Sequence, residues 1–224
     1  MDTFKTKNVN NGKYEVSIIE NDMYIGRCIE NGFEWDGWMR EDAYRYYKPG
    51  TDILDVGGNI GYNALMFSDY GPVHTFEPVF HSVIEKNIKQ NNLKHTIELY
   101  PFGLSSKSDT VRIFLPKLEH ETYRNYGGCS ISESQPSHCC EIFKNIEVKK
   151  LDDVYSGKPS IIKVDIEGHE EEFLKGAKET ITKYHPTIFI EIHNFSDENP
   201  VVQLLWSYGY KCSMSRPEWV YIFT

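Results

Sequence analysis

The chain has 224 residues, with 33 acidic against 24 basic side chains and a formal charge of −9, a balance that disfavours a sequence-independent grip on phosphate backbones. Hydrophobic residues make up 40% and charged residues 25%, which excludes a disordered or fibrous protein and suits one globular domain with decorations. No apolar run approaches the ~20 residues of a membrane span, and the opening MDTFKTKNVNNGKY lacks a signal-peptide core, so a soluble cytoplasmic protein is expected.

Tyr14 to Glu20 and Met23 to Cys28 carry apolar or β-branched residues on either side of the turn-prone Asn21 and Asp22, which predicts an N-terminal hairpin. An aromatic stretch follows, Phe33, Trp35, Trp38, Tyr44, Tyr46 and Tyr47, closed by Pro49 and Gly50, and it reads as a short helix. Residues 1–48 are taken as an extension belonging to the same domain as residues 49–224. From Asp52 short apolar strands alternate with amphipathic helices, the signature of a doubly wound α/β fold with a mostly parallel sheet. The predicted strands are Ile53 to Val56, Val73 to Phe76, Ile97 to Tyr100, Ile161 to Asp165 and Thr187 to Ile192. Phe80, Val83, Ile84 and Ile88 mark one intervening helix; Phe173, Leu174, Ala177 and Ile181 mark another.

Two stretches interrupt the alternation: Val111 to Leu115 reads as an extra strand, and Pro116 to Asn145 as a long polar loop of the kind that is functional or disordered. Val201 to Trp206 then reads as a helix, and Tyr210 to Ser213 and Trp219 to Phe223 as strands joined by a turn at Pro217. The five cysteines form no CxxC pair or zinc-like cluster, and even the adjacent Cys139 and Cys140 are assigned no chemistry.

Four motifs carry chemistry. Asp55-Val56-Gly57-Gly58-Asn59-Ile60-Gly61 lies between a buried strand and a helix, where glycines let the backbone turn sharply against a ligand. Its spacing does not match the GxGxxG of dinucleotide enzymes, and Asp55 would repel a pyrophosphate but accept a hydrogen bond from an ammonium. S-adenosylmethionine carries that ammonium and no phosphate. Glu77 closes the next strand in HTFEP, at the spacing of an acid that takes the ribose hydroxyls of an adenosine cofactor; an exposed strand-end carboxylate is the plainer alternative. In Lys163-Val164-Asp165-Ile166-Glu167-Gly168-His169-Glu170 an apolar strand puts Lys163 and Asp165 on one face, which is costly unless that face is a site or a paired network. Glu191-Ile192-His193-Asn194 repeats the alternation and should bring Glu191 and His193 beside Asp165.

Taken together, DVGGNIGYNAL, HTFEP, KNIKQNNL, YPFGLSS, VKKLDDV, IKVDIEGHEEEFLKGA, PTIFIEIH and LLWSYGY resemble the FkbM family of S-adenosylmethionine-dependent methyltransferases, from about Trp38 onward. The resemblance implies a seven-stranded Rossmann-like class I methyltransferase sheet with an antiparallel last strand, and O-methylation, commonly of sugar or metabolite hydroxyls. By position it implies that Asp55, Gly57, Asn59, Gly61 and Glu77, within a turn that also holds Gly58, contact the cofactor. It places Phe102 and Gly103 at the adenine edge and Asp165 near the methyl group. His169 stands where the family has a small residue, and it reads as an exposed helix residue or as an extra polar group at the acceptor pocket.

A sugar hydroxyl is a poor nucleophile, and His193 has the intrinsic pKa best suited to take its proton, with Asp165 or Glu191 orienting it or acting instead. Lys163, Asp165, Glu191 and His193 are therefore the expected catalytic group. No metal is assigned, although Asp165, Glu191 and His193 could alternatively hold a divalent ion. Trp35, Trp38, Tyr123 and Tyr126 offer flat faces to a sugar ring. The expected partner is a sugar or other hydroxyl-bearing acceptor, with no nucleic acid and no membrane. The rivals are a binding protein of this fold without catalysis, a non-sugar small-molecule methyltransferase, and an NAD-dependent oxidoreductase, which fails on the glycine spacing.

Overall fold

The computed structural model describes residues 4–116, 125–127, 130–131 and 140–224. The N-terminal hairpin lies upstream of its expected place, pairing β1 (Thr6–Asn10) with β2 (Glu15–Ile19). Its turn is built by Asn10 and Asn11, whose side chains accept the backbone N–H groups of Gly12, Lys13 and Tyr14. Met23 to Cys28 is not a strand but leads into α1 (Ile25–Glu30). The reason is Asp22, whose carboxylate accepts the N–H groups of Tyr24 and Gly26 and so starts a helix instead of turning a hairpin. The aromatic stretch is helical from α2 (Met39–Tyr46) onward.

The alternating part begins with β3 (Asp52–Val56), α3 (Tyr62–Phe67), β4 (Val73–Phe76), α4 (His81–Lys89) and β5 (Ile97–Tyr100). After the excursion through β6 (Gly103–Leu104), β7 (Asp109–Pro116), β8 (Ser130–Ile131) and β9 (Cys140–Lys149), it resumes with α5 (Leu151–Val154) and β10 (Pro159–Val164). The chain ends with α6 (Glu170–Gly176), α7 (Lys178–Tyr184), β11 (Thr187–Glu191), α8 (Pro200–Ser207), β12 (Cys212–Ser215) and β13 (Val220–Phe223). Seven strands form one sheet in the order β5-β4-β3-β10-β11-β13-β12, in which only β13 runs antiparallel to its neighbours. This is the Rossmann-like α/β sheet expected of a class I methyltransferase. The chain winds outward from β3 to β5 and then from β10 to β11, so the crevice at their carboxyl ends is the natural ligand position.

Helices cover both faces. Ile53, Ile161 and Phe189 face Met39, Ala43 and Phe67 on one side, while Leu54, Ile162 and Ile188 face Phe173, Leu174 and Leu205 on the other. What reads as a single helix around Phe173 to Ile181 is two, meeting at Ala177, and Gly176 beside it lies against Ser105, whose carbonyl oxygen would be 1.9 Å from an added Cβ. The extra strand at Val111 to Leu115 belongs to a second, four-stranded sheet in the order β6-β9-β7-β8. The polar loop is consequently shorter than expected, since Cys140 to Asn145 lies in β9. Tyr123, Cys129 and Cys139 fall outside the described residues. Among the described residues no helix is long and apolar enough to cross a membrane.

One polar row runs through the sheet. Thr75, Asp55 and Lys163 stand side by side on β4, β3 and β10. Asp55 is completely buried and its carboxylate accepts from the Thr75 hydroxyl at 3.1 Å. Lys163 Nζ donates to Gly57 O at 2.9 Å and lies 3.7 Å from Asp55 and 3.3 Å from Asp165. Removing one partner of such a group leaves a buried charge uncompensated, so Lys163→Met should cost about 3–5 kcal/mol of stability. Combining it with Asp55→Asn should recover part of that loss, because the two residues are coupled. Urea unfolding followed by tryptophan fluorescence checks both variants; strictly additive losses would show that the row is not a coupled unit.

Candidate functional site

At the carboxyl ends of β3, β4 and β10 lies a cavity of about 590 Å³. Its floor is the turn after β3. Gly57 has φ +83°, and a Cβ there would lie 1.9 Å from the Asp165 carbonyl oxygen, so the close approach of this turn to the end of β10 requires glycine. Gly58 is equally constrained, its added Cβ falling 2.2 Å from Thr75 Oγ1.

Glu77, at the end of β4, is held by three backbone amides: Asn59 N at 2.9 Å on Oε2, and Val79 N at 2.7 Å and Phe80 N at 3.1 Å on Oε1. Burial pushes this carboxyl up and the three donors oppose that shift. An ionised carboxylate offers about four acceptor positions, so one remains for a ligand. Gly57, Gly58, Asn59, Glu77 and Gly103 all line the cavity, and Phe80, Tyr126 and Ile146 close it from the hairpin side and from the second sheet. Tyr126, expected to meet an acceptor, is on this wall and packs on Phe80, with ring centroids 6.1 Å apart.

Three residues expected to contact the cofactor lie off the cavity wall. Asp55 is fully buried behind the turn, with the Thr75 hydroxyl on Oδ2 and Lys163 Nζ 3.7 Å from Oδ1, which has no hydrogen-bond partner. Gly61 is not on the wall; it closes the turn by donating its N–H to Gly58 O at 2.7 Å. Phe102 is also off the wall, packed on Tyr100 and Phe76 with Lys149 over its ring at 4.4 Å.

The other end of the cavity gathers Asp165, Glu191 and His193, as the strand alternation requires. His193 Nε2 is 3.7 Å from Glu191 Oε1 and 3.9 Å from Glu167 Oε2, and its side chain is 51% exposed. Glu167 has φ +53° and was given no role in the sequence motif. Burial, then Asp165 and Glu170, pushes its carboxyl up to about 7. Burial first, then Asp165 and Glu167, drives Glu191 well above the usual carboxylate range. Lys163 opposes this crowding: burial pulls its ammonium down, but Asp165, Asp55 and Asp36 more than offset that and keep it charged.

Sequence reasoning missed several residues here. Glu218 and Trp219, both at φ +57°, reach the cavity from the turn before β13, and the Trp219 ring lies 5.2 Å from that of His193. Asn63 lines it from α3 and donates to Asp36 at 3.2 Å. His169, expected as an exposed residue or an acceptor-side group, is half-buried on the cavity wall with Nε2 2.9 Å from Ser105 Oγ. Trp35 lines the cavity, whereas Trp38 is stacked under Arg216.

The family model for the methyltransferase FkbM domain matches residues 55–212. The chain is 28% identical over 200 residues to methyltransferase sdnD of Sordaria araneosa, covering 75% of this chain and 76% of that protein. It is 30% identical over 155 residues to the hexuronic acid methyltransferase AglP of Haloferax volcanii, covering 69% of this chain and 61% of that protein. The methyltransferase FkbM structure from Methylobacillus flagellatus KT is similar in fold, with a TM-score of 0.52 and 17% identity over 82% of this chain. The chain spans about half of that structure's length, 49%. The matched segment runs from the acid that opens the glycine turn, through Glu77, Asp165 and His193, to the start of β12, and with it this chain belongs to the FkbM methyltransferase family.

Proposed function

We propose that the chain transfers a methyl group from S-adenosylmethionine to a hydroxyl group of a saccharide. The observation that carries this reading is Glu77: an acid pinned by three amides beside a glycine turn, in one cavity with Asp165, Glu191 and His193. The saccharide follows from the AglP relative, whose name gives a hexuronic acid as its substrate. The acidic balance of the chain supports an acceptor other than nucleic acid.

Bound in this cavity, S-adenosylmethionine supplies a methyl group activated on a sulfonium. The residues present fit it: Glu77 has a free acceptor position for ribose hydroxyls, and Gly57 and Gly58 leave the backbone bare beside it. Gly103, Tyr126 and Ile146 shape the adenosine end. At the other end His193 takes the proton of the acceptor hydroxyl, and Glu191 and Glu167 hold its imidazole. The Lys163 ammonium is already engaged by Gly57 O, Asp165 and Asp55; it is a positioning residue that acts through Asp165. Positioning the oxygen in line with the methyl accounts for much of the acceleration, and the base for a further ~10²- to 10⁴-fold.

One observation favours a second reading: single ligand atoms of Glu167, Glu191 and His193 all lie within 4.8 Å of one another, a spacing that one divalent ion can span. A bound ion would then acidify the hydroxyl in place of the imidazole.

Titration calorimetry with S-adenosylhomocysteine tests the cofactor site. Glu77→Ala should weaken binding by ~1.5–3 kcal/mol through loss of a charged hydrogen-bond acceptor; unchanged affinity in a folded variant would remove Glu77 from the site.

Incubation with labelled S-adenosylmethionine and a panel of saccharides, small alcohols and RNA, read by mass spectrometry, tests the acceptor and the base. Label should enter a saccharide, and His193→Ala should slow transfer by about 10² or more while S-adenosylhomocysteine affinity stays near wild type. Transfer to RNA alone would overturn the acceptor. Loss of transfer on chelation, restored by magnesium, would favour the metal reading.

A further inference from the structure

Asp55 is buried behind the turn, whereas Asn63 offers an acceptor on the cavity wall itself. It is the second residue of α3, only 7% exposed, and it lines the cavity. Its Nδ2 donates to Asp36 Oδ2 at 3.2 Å, while its Oδ1 is buried with no hydrogen-bond partner. The Asp36 contact fixes which way the amide points: turning it over would set the carbonyl oxygen against a carboxylate oxygen. The oxygen left over is therefore an acceptor held in place and unsatisfied, a state it shares on the cavity wall with Asn59 Oδ1 and Glu191 Oε2 and one that native structures rarely leave without a partner.

The surroundings select a cation. Asn63 is bonded to Asp36, which feels the charges of both Lys163 and Asp165, and Glu218 on the same cavity wall feels those of Asp36 and Asp165, so Asn63 stands near the Asp165 end of the cavity. Three carboxylates there face one ammonium, Lys163, which is already engaged by Gly57 O, Asp165 and Asp55.

Resting on the cofactor assignment above, we propose that Asn63 Oδ1 accepts a hydrogen bond from the α-ammonium of the cofactor's methionine moiety, with Asp36 as the positioning residue behind it. Asp36 lies in the segment between α1 and α2, so the N-terminal extension would take part in cofactor recognition through this amide.

The test compares two ligands that differ in the methionine moiety: S-adenosylhomocysteine, and 5′-methylthioadenosine, which lacks the amino-acid part. Calorimetry should show that Asn63→Leu weakens S-adenosylhomocysteine by about ten-fold or more and leaves 5′-methylthioadenosine unchanged. Asp36→Ala, which removes the acceptor that fixes the Asn63 amide, should weaken S-adenosylhomocysteine alone. Equal losses for both ligands, or none for either, would overturn the proposal, because the side chain would then be structural or idle. A loss confined to the KM of the saccharide would reassign Asn63 to the acceptor. If the wild type bound neither ligand, the cofactor assignment itself would fall, and this proposal with it.

Discussion

The site depends on a single buried cation. Lys163 stands on β10 in the middle of the sheet, and its ammonium ties together Gly57 O from the turn after β3, Asp55 within β3 and Asp165 just past β10. Without it the turn and the end of β10 would present two carboxylates and a bare carbonyl to one another at low dielectric, where unpaired charges are most costly. The glycine turn reinforces the same junction from the backbone side, since Gly57 touches the Asp165 carbonyl and the Asp165 N–H donates to Val56 O at 3.1 Å. Cation and glycine together hold the floor of the cavity at a fixed distance from its acidic wall.

That wall is crowded beyond what stability alone would favour. Glu167 and Glu191 meet beside His193, and burial together with the charge of Asp165 and their mutual repulsion lifts the Glu167 and Glu191 carboxyls. Groups driven this far from their ordinary behaviour mark functional sites more often than structural networks. Strain accompanies the charge: Glu167, Glu218 and Trp219 all sit at positive φ without being glycine. Such local costs fit a surface shaped to meet a ligand, and they are borne by a core in which Leu54, Ile162, Ile188 and Phe173 are wholly buried.

The rest of the cavity comes from outside the main sheet. The hairpin packs Val16 and Ile18 into the same cluster as Phe80, Tyr126, Ile146 and Val148, so the N-terminal segment and the second sheet share one apolar core beside the glycine turn. Asn87 of α4 ties that hairpin down by accepting from Ser17 N and donating to Ser17 O and Ile60 O. The hairpin is thereby bonded to the turn it flanks.

The sequence by itself determined the alternating architecture, the glycine turn, the acid Glu77 and the meeting of Asp165, Glu191 and His193. Each is written in local pattern: a strand alternates faces every second residue, so charges at 163 and 165, or 191 and 193, announce a polar face whatever the rest of the chain does. Depth and neighbours are not local. Only the pairing of β3 between β4 and β10 made Asp55 a wholly buried partner of Thr75 and Lys163. Only the closing of distant segments brought Asp36 to Asn63 and Glu218 with Trp219 to His193. The hairpin shows the same division, because Asn and Asp serve turns and helix starts equally well. Which role Asp22 took was decided by the packing of Ile25 and Ile29 into the core, a contact that no pattern within the segment records.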